Sequence, residues 1–419
     1  MAKITKQTIN ITNLSKGPLM NILDKFLRYI TIPTNSNSNT GTTPSTDTQW
    51  QLARILAQEL KQLDMTDVYL DEEHCYVYAY LKGNTTAPKI GFIAHMDTSE
   101  NATDVNVSPQ IIENYDGKNI QLNDTEILDV AKFPELATFK GKTIITTDGN
   151  TLLGADDKAG IAEIMTMLEY IKANNTPHGD IYIAFTPDEE IGEGTKFFDF
   201  DRFKADFAYT IDGEDLGEIS YENFNACSIK INIKGVSVHT GSAKGVMVNS
   251  LMVANEIINS LPKELPENTE GYEGFYHLDS MTGDVSHTTM KYLIRDFDLN
   301  NFQKRKEILQ SVISTLNQKY NNCISSELGY SYSNMKNVVS KYPHIIDTAK
   351  LAMKNVGVSP IVRAIRGGTD GAELSQNGLP CPNLCAGGHN FHGVHEYVCL
   401  EDMEKITEIL VELVKEFTK

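Results

Sequence analysis

The sequence predicts an α/β fold with a mostly parallel sheet, interrupted by a smaller α+β segment. Residues 89–94, 180–186 and 207–211 are apolar runs with little alternation, which is typical of interior strands covered on both faces. Amphipathic helical patterns separate these strands, as expected for parallel βα units. After residue 225 the pattern changes to β-α-β-β-α-β, which is typical of a ferredoxin-like sandwich.

The composition is that of a globular protein with more than one domain. A chain of 419 residues exceeds the usual size of a single hydrophobic core. The formal net charge of −19 argues against nucleic acid and against an anionic membrane surface as partners. No apolar run is long enough to cross a bilayer, so we expect no membrane association.

The N-terminal residues and the cysteines predict a cytoplasmic location. The first 17 residues lack the apolar core of a signal peptide, and we expect a disordered leader there. The six cysteines are scattered and form no C-x-x-C pair. Such cysteines are typical of buried thiols in a reducing compartment.

Two changes of pattern divide the chain into three segments. Residues 1–224 are predicted to form the first segment of the α/β domain. Residues 225–336 form the inserted ferredoxin-like domain, which we expect to act as a lid or a dimerisation domain. Residues 337–419 return to the α/β pattern and complete the first domain.

Two helices are predicted before the first interior strand. Their apolar stripes cover residues 19–30 and 50–63. The tract between them, residues 34–48, is rich in Asn, Ser, Thr and Gly. Such a composition predicts a mobile loop, and no role could be assigned to it.

Two adjacent carboxylates, Asp156 and Asp157, precede an amphipathic helix in the sequence LLGADDKAG. The positive end of a helix dipole lies at its N-terminus and favours negative charge there. Helix capping is therefore the alternative interpretation of this pair. The surrounding motifs favour a functional role.

Further acidic and histidine residues follow the predicted interior strands. They are His95 and Asp97 after the first strand, Glu189 and Glu190 after the second, and Asp212 after the third. Ligands of open α/β sheets bind at the carboxyl ends of the strands. A histidine from the group His389, His392 and His395 completes the set. Carboxylates mixed with imidazoles suit zinc, manganese or cobalt better than calcium or magnesium.

Several other catalytic motifs are absent from the sequence. It contains no G-x-S-x-G elbow, no P-loop, no G-x-G-x-x-G and no H-E-x-x-H. These absences argue against serine hydrolases, nucleotide-binding folds and helix-borne zinc proteases.

The motifs H-x-D, GADDKAG, PDEE, Asp-Gly and H-x-x-H-E occur in this order. This series resembles peptidase T, a family of tripeptide aminopeptidases among the dinuclear zinc exopeptidases, which also include carboxypeptidase G, carnosinase and succinyl-diaminopimelate desuccinylase. The likeness runs from about residue 19 to the C-terminus and includes IRDFD, IRGGTDGA and GLPCPNL. It implies a zinc exopeptidase catalytic domain with an inserted lid, acting on tripeptides in peptide catabolism.

The resemblance also implies two zinc ions per subunit, with manganese or cobalt as alternatives. One ion is expected at His95, Asp156 and Asp212, and the other at Glu190, His395 and Asp156. Asp156 is chosen over Asp157 as the bridging ligand because the family pattern is Asp-x-Lys. A cis peptide bond between Asp156 and Asp157 is implied as well.

Catalytic and substrate-binding roles follow from the same resemblance. Glu189 is expected to be the general base, and Asp97 to fix the tautomer of His95. His239 falls where relatives place a lid histidine for the oxyanion, although Thr240 replaces the usual proline. Arg295 and Arg366 are candidates for binding the terminal carboxylate of the substrate, with structural salt bridges as the alternative. His389 and His392 are assigned to the surroundings of the metals or to the surface.

Three other functions stay open at this point. A dipeptidase and an N-acyl-amino-acid deacylase would share the metal ligands and differ in the lid. A non-catalytic metal-binding scaffold is the alternative outside enzymes, and the presence of Glu189 beside Glu190 argues against it. The expected partners are small peptide substrates and, through the inserted domain, a second copy of the chain.

Overall fold

The computed structural model describes residues 4–6 and 21–419 and divides into two compact units. Unit 1 comprises Met1–Tyr221, Val338–Arg363 and Thr369–Lys419. Unit 2 comprises Glu222–Asn337 and the short segment Ala364–Gly368. Arg366 therefore lies in unit 2, whereas the predicted segment boundaries placed it in the α/β domain.

The described strands and helices are numbered in chain order. The strands are β1 Ile4–Lys6, β2 Thr66–Leu70, β3 Val77–Leu81, β4 Ile90–His95, β5 Gln110–Ile112, β6 Ile120–Gln121, β7 Ile127–Leu128, β8 Ile144–Thr146, β9 Ile181–Thr186, β10 Phe207–Gly213, β11 Glu218–Ser220, β12 Asn225–Lys234, β13 Phe275–Gly283, β14 His287–Asp296, β15 Ile324–Tyr332, β16 Ile361–Val362, β17 Asn383–Cys385, β18 Gly388–His389 and β19 Tyr397–Cys399. The α-helices are α1 Ile22–Ile30, α2 Gln49–Gln62, α3 Ala155–Ala173, α4 Ser250–Ser260, α5 Leu299–Lys319, α6 Lys336–Val339, α7 Pro343–Asn355, α8 Asp370–Gln376 and α9 Leu400–Glu416. None of these helices is both long and apolar enough to cross a membrane.

Unit 1 is built on an eight-stranded sheet in the order β16-β11-β17-β10-β4-β9-β3-β2. Its centre, β17-β10-β4-β9, is parallel throughout. Every residue of β4 and β9 is buried, as expected for strands covered on both faces. Helix α3 packs on β4 and β10 and is in turn contacted by α1 and α9. This mostly parallel sheet confirms the predicted fold class.

A second sheet of unit 1 has the order β1-β5-β8-β19-β18. The first strand, β1, pairs antiparallel with β5. The prediction of a disordered leader is therefore wrong for residues 4–6, and the rest of that leader lies outside the described residues. At the other end of the sheet, β18 and β19 flank the loop that carries the C-terminal histidines.

The polar tract 34–48, which its composition predicts to be a mobile loop, is partly buried. Thr34, Ser36 and Ser45 are buried. Ser36 N–H donates to the Thr98 carbonyl at 3.0 Å, and Asn35 side-chain N–H donates to the Ser99 carbonyl at 2.7 Å. These polar residues are thus satisfied by protein groups far away in the sequence, whereas residues 38–42, 47 and 48 of the tract are exposed.

Unit 2 is a four-stranded antiparallel sheet in the order β13-β14-β12-β15. Helices α4 and α5 pack against this sheet. The alternating residues Ile229, Ile231 and Ile233 of β12 lie in the core with Val253 and Leu309 from the helices. The element order and the sheet order are those of the ferredoxin-like fold that the sequence predicts.

Candidate metal centre

Three parallel strands bring acidic and histidine side chains to one edge of the central sheet. His95 is the last residue of β4 and pairs with Thr186, the last residue of β9. Glu189 and Glu190 follow β9 on a short 3-10 turn, Glu189–Ile191, and Asp212 lies near the end of β10. Because parallel strands end at the same edge, these groups converge outside their carboxyl ends.

Asp156 lies between two histidines. One of its carboxylate oxygens, Oδ1, is 2.9 Å from His95 Nε2, and Asp212 Oδ1 is 3.8 Å from the same nitrogen. The other oxygen, Oδ2, is 3.2 Å from His392 Nε2, which is itself 3.0 Å from Glu190 Oε2. Two groups of potential ligands therefore share one carboxylate, each with an imidazole and a further acid.

Asp157 points the other way. Its carboxylate accepts hydrogen bonds from the backbone N–H groups of His95 and Gly160, both at 3.2 Å. The peptide bond between Asp156 and Asp157 is cis, as the resemblance implied. The two neighbouring carboxylates thus have different surroundings, and only Asp156 faces the histidines.

The structure places His392, and not His395, beside Asp156 and Glu190. His395 Nε2 lies 3.1 Å from Glu126 Oε2 instead. Both histidines belong to the turn between β18 and β19, in which His392 has a left-handed φ of 64°. The backbone of this turn decides which imidazole faces the ligands, and sequence spacing alone does not reveal it. His392, which the sequence analysis assigned to the surroundings of the metals or to the surface, lies in a group of potential ligands with Asp156 and Glu190.

Glu396 was not identified from the sequence. Its buried carboxylate accepts hydrogen bonds from the N–H groups of Leu153, Gly154 and Asp156, at 2.7 to 3.1 Å. These are unpaired donors at the start of α3, where a negative charge is favourable. Glu396 therefore fixes the backbone from which Asp156 projects.

Asp97 contacts the turn that carries Glu189 and Glu190 as well as His95. Its backbone carbonyl lies 3.0 Å from His95 Nδ1, while its Oδ1 lies farther away, at 3.4 Å. The same carboxylate accepts hydrogen bonds from the backbone N–H groups of Glu189, at 2.9 Å, and of Glu190, at 3.1 Å. Asp97 thus holds the turn that carries both glutamates, in addition to orienting the imidazole.

The buried carboxylates of this cluster repel one another, and a bound cation would relieve this repulsion. Burial and the Asp156 carboxylate raise the pKa of Glu190 to about 7, and burial and Asp156 raise the pKa of Asp212 well above its usual range. Glu190 Oε1 is buried and has no hydrogen-bond partner among the described residues. Hard oxygens and imidazole nitrogens in this arrangement fit two divalent ions.

Metal removal should make the stability of the protein depend on pH. In the metal-free chain, burial raises the pKa values of Glu190 and Glu396 from 4.5 to about 7. A raised carboxyl pKa means that the folded chain binds the proton more tightly, so stability falls as pH rises from 4.5 towards 7. We expect the Tm of chelator-treated protein to be lower near pH 7.5 than near pH 5.5, and zinc to raise Tm more at the higher pH. Equal Tm values at both pH values would contradict this.

Asp370, from the motif IRGGTDGA, is a second acid that was not assigned a role. It is buried at the start of α8, and Thr186 Oγ1 donates to it at 2.9 Å. Burial and Glu373 raise its pKa to about 7. A side chain at Gly194 would collide with this carboxylate, because an added Cβ would lie 2.2 Å from its Oδ1. Gly194 leaves room for Asp370 behind the Glu189 turn.

The three predicted substrate-binding residues all lie in unit 2. His239 is exposed, and its Nδ1 accepts the N–H of Gly241 at 3.1 Å. Arg366 stacks over Phe224 and donates to the backbone carbonyls of residues 269, 271 and 273. Arg295 donates to the Arg366 carbonyl at 3.2 Å, and its Nε is buried without a partner among the described residues.

Comparison with known proteins identifies the family of this chain. Residues 134–416 match the peptidase family M20/M25/M40. Peptidase T of Halothermothrix orenii is 52% identical over 401 residues, which cover 94% of this chain and 98% of that protein. Peptidase T of Caldanaerobacter subterraneus subsp. tengcongensis is 52% identical over 405 residues, which cover 95% and 99%.

Solved structures share the fold over almost the whole chain. Aminopeptidase PepT from Bacillus cereus has a TM-score of 0.76 at 21% identity and covers 95% of this chain and 98% of its own. The YXEP protein of Bacillus subtilis, described as a dinuclear metal-binding peptidase of the M20 family, has a TM-score of 0.65 at 14% identity and covers 94% and 96%. The chain therefore belongs to peptidase family M20/M25/M40 and, within it, to the peptidase T group, so it is a peptide hydrolase.

Proposed function

We propose that this chain is a tripeptide aminopeptidase whose site would hold two zinc ions, with Asp156 available to both. His95, Asp156 and Asp212 would hold one ion, and Asp156, Glu190 and His392 would hold the other. The observation that carries this proposal is the orientation of Asp156, whose two oxygens face separate histidines at 2.9 and 3.2 Å. Mixed carboxylate and imidazole ligands suit zinc, with manganese or cobalt as alternatives.

Glu189 is the proposed general base. When bound, the metal pair supplies a Lewis acid that lowers the pKa of water and polarises the scissile carbonyl. In the metal-free chain, burial and the Asp212 carboxylate raise the pKa of Glu189, and its carboxylate lies among the proposed ligands, where it can act as a proton acceptor. Glu189 takes a proton from the attacking water and transfers it to the departing amine. The peptide bond breaks, and the base returns to its starting state.

Charge supports a preference for short peptides with two free ends. The acidic side chains of unit 1 favour a substrate with a protonated α-amine. In unit 2, Arg295 and Arg366 form no ion pair with a described residue, and they are the proposed partners of the terminal carboxylate. Arg295 is the stronger candidate, because the Arg366 guanidinium already donates hydrogen bonds to backbone carbonyls. His239 is retained as the proposed oxyanion donor.

Substrate analogues test this assignment. We expect a free tripeptide to have a higher kcat/KM than its dipeptide and tetrapeptide analogues. N-acetylation should block hydrolysis, and C-terminal amidation should cost about 2–5 kcal/mol if the arginine pair is desolvated. In Arg295→Met the free and amidated peptides should have equal kcat/KM values. A difference that persists in this variant would indicate a steric effect of the amide. Faster cleavage of the N-acetylated peptide would favour a deacylase instead.

We propose a cytoplasmic location and a homodimeric assembly. The six cysteines are free thiols, which supports the cytoplasm as the location. A homodimer through unit 2 is the expected assembly.

A further inference from the structure

We propose that the polar tract 34–48, together with Gln49 at the start of α2, positions the catalytic base through Asp188. This inference rests on the proposed role of Glu189 and adds residues to which neither the sequence motifs nor the comparisons give a role. Ser45, Gln49 and Asp188 are positioning residues in this proposal. None of them is a metal ligand or the base.

Asp188 is held almost entirely by the tract. Its side chain is fully buried. Ser45 donates its backbone N–H to Oδ2 at 2.7 Å and its hydroxyl to Oδ1 at 2.6 Å. Gln49 Nε2 donates to Oδ1 at 2.7 Å. Ser45 and Gln49 are themselves 3% and 0% exposed, so water does not replace these three donors.

Asp188 controls the direction of the turn that carries Glu189. It has a left-handed φ of 55° and is followed directly by Glu189–Ile191. Asp adopts this region more readily than most non-glycine residues, and the three donors fix the Asp188 side chain in that conformation. Asp97 holds the N–H of Glu189 from the other side. The Glu189 backbone is therefore defined by two buried carboxylates.

The other end of the tract is anchored beside Asp97. Asn35 Nδ2 donates to the carbonyls of Ser99 and Ala102 at 2.7 and 3.1 Å, and Ser36 N–H donates to the Thr98 carbonyl at 3.0 Å. Just before the tract, the Ile32 carbonyl accepts the buried Lys158 amine at 2.8 Å. The tract therefore contacts two segments, the one that follows His95 and the one that follows β9. Ile32, just before the tract, contacts the start of α3.

A purely structural role is the alternative, since buried polar networks also stabilise folds. The two roles differ in what a substitution changes. Loss of a structural contact lowers stability or metal content, and activity falls in proportion. Loss of a positioning contact lowers kcat in protein that is folded and fully loaded, because small displacements of a reacting group have large kinetic effects.

The test measures kcat, KM, Tm and metal content for Ser45→Ala with a tripeptide substrate. We expect kcat to fall roughly 10- to 100-fold with both metals retained. KM should change by less than about twofold, because substrate binding is not affected. Ser45→Thr retains the hydroxyl and should recover most of kcat. Ser38→Ala is the matched control, because this exposed hydroxyl of the tract bonds Glu100 and makes no contact with Asp188.

A double substitution shows whether the effect passes through Asp188. If it does, Ser45→Ala should have little further effect on kcat in an Asp188→Gly background, which removes the acceptor and tolerates the left-handed backbone. The inference is wrong if Ser45→Ala keeps normal kcat while Glu189→Gln is inactive, or if kcat falls only in proportion to lost metal. An active Glu189→Gln would instead contradict the proposed function. The two failures are therefore distinguishable.

Discussion

Glu189→Gln should retain the fold and both metal ions while kcat falls by roughly 10²- to 10⁴-fold, the usual contribution of a general acid–base group. The amide has nearly the same shape as the carboxylate but does not accept the proton from water. The backbone N–H of Glu189 keeps its bond to Asp97, so the turn is preserved. Steady-state kinetics on a tripeptide, with metal content measured on the same sample, provides the check.

Two neighbouring substitutions serve as controls for Glu189→Gln. Glu193→Gln alters a carboxylate that forms an ion pair with Lys196 after the turn, and it should leave kcat unchanged. Glu190→Gln removes a proposed ligand and should weaken one metal site. Near-normal kcat in Glu189→Gln would show that another group is the base.

His392→Ala should lower activity far more than His395→Ala. His392 Nε2 faces Asp156 Oδ2 and Glu190 Oε2, whereas His395 faces Glu126. Loss of a ligand should reduce kcat/KM by at least the roughly 10- to 100-fold seen when an outer partner of a metal ligand is lost. His395→Ala is the matched control, because it removes an imidazole from the same turn. Equal losses in the two variants would contradict the assignment.

The convergence of the side chains that follow the strands in the candidate metal centre could be predicted from the sequence. His95, Glu190 and Asp212 each follow an apolar run, and the ends of parallel strands meet at one edge of a sheet. The choice between His392 and His395 could not be made in this way. It depends on the φ angles of a turn, and sequence spacing does not determine them.

Contacts that are distant in sequence escaped prediction for a different reason. Glu396 reaches the start of α3 across about 240 residues, and next to His395 it reads as part of a metal motif. The composition of the tract 34–48 predicts a mobile loop, because Asn, Ser and Thr side chains form hydrogen bonds to water and to buried carboxylates equally well. Only the fold shows that Ser45 meets Asp188. Polar composition therefore does not distinguish a surface loop from a buried polar network.

The central claim is that Asp156 holds two metal ions at once. The most direct measurement is the metal content of the purified chain by mass spectrometry, compared between the unsubstituted protein and His392→Ala. We expect two equivalents of metal per chain in the unsubstituted protein and one in His392→Ala, with the site at His95, Asp156 and Asp212 still loaded. A single equivalent in the unsubstituted protein, or two in His392→Ala, would contradict this.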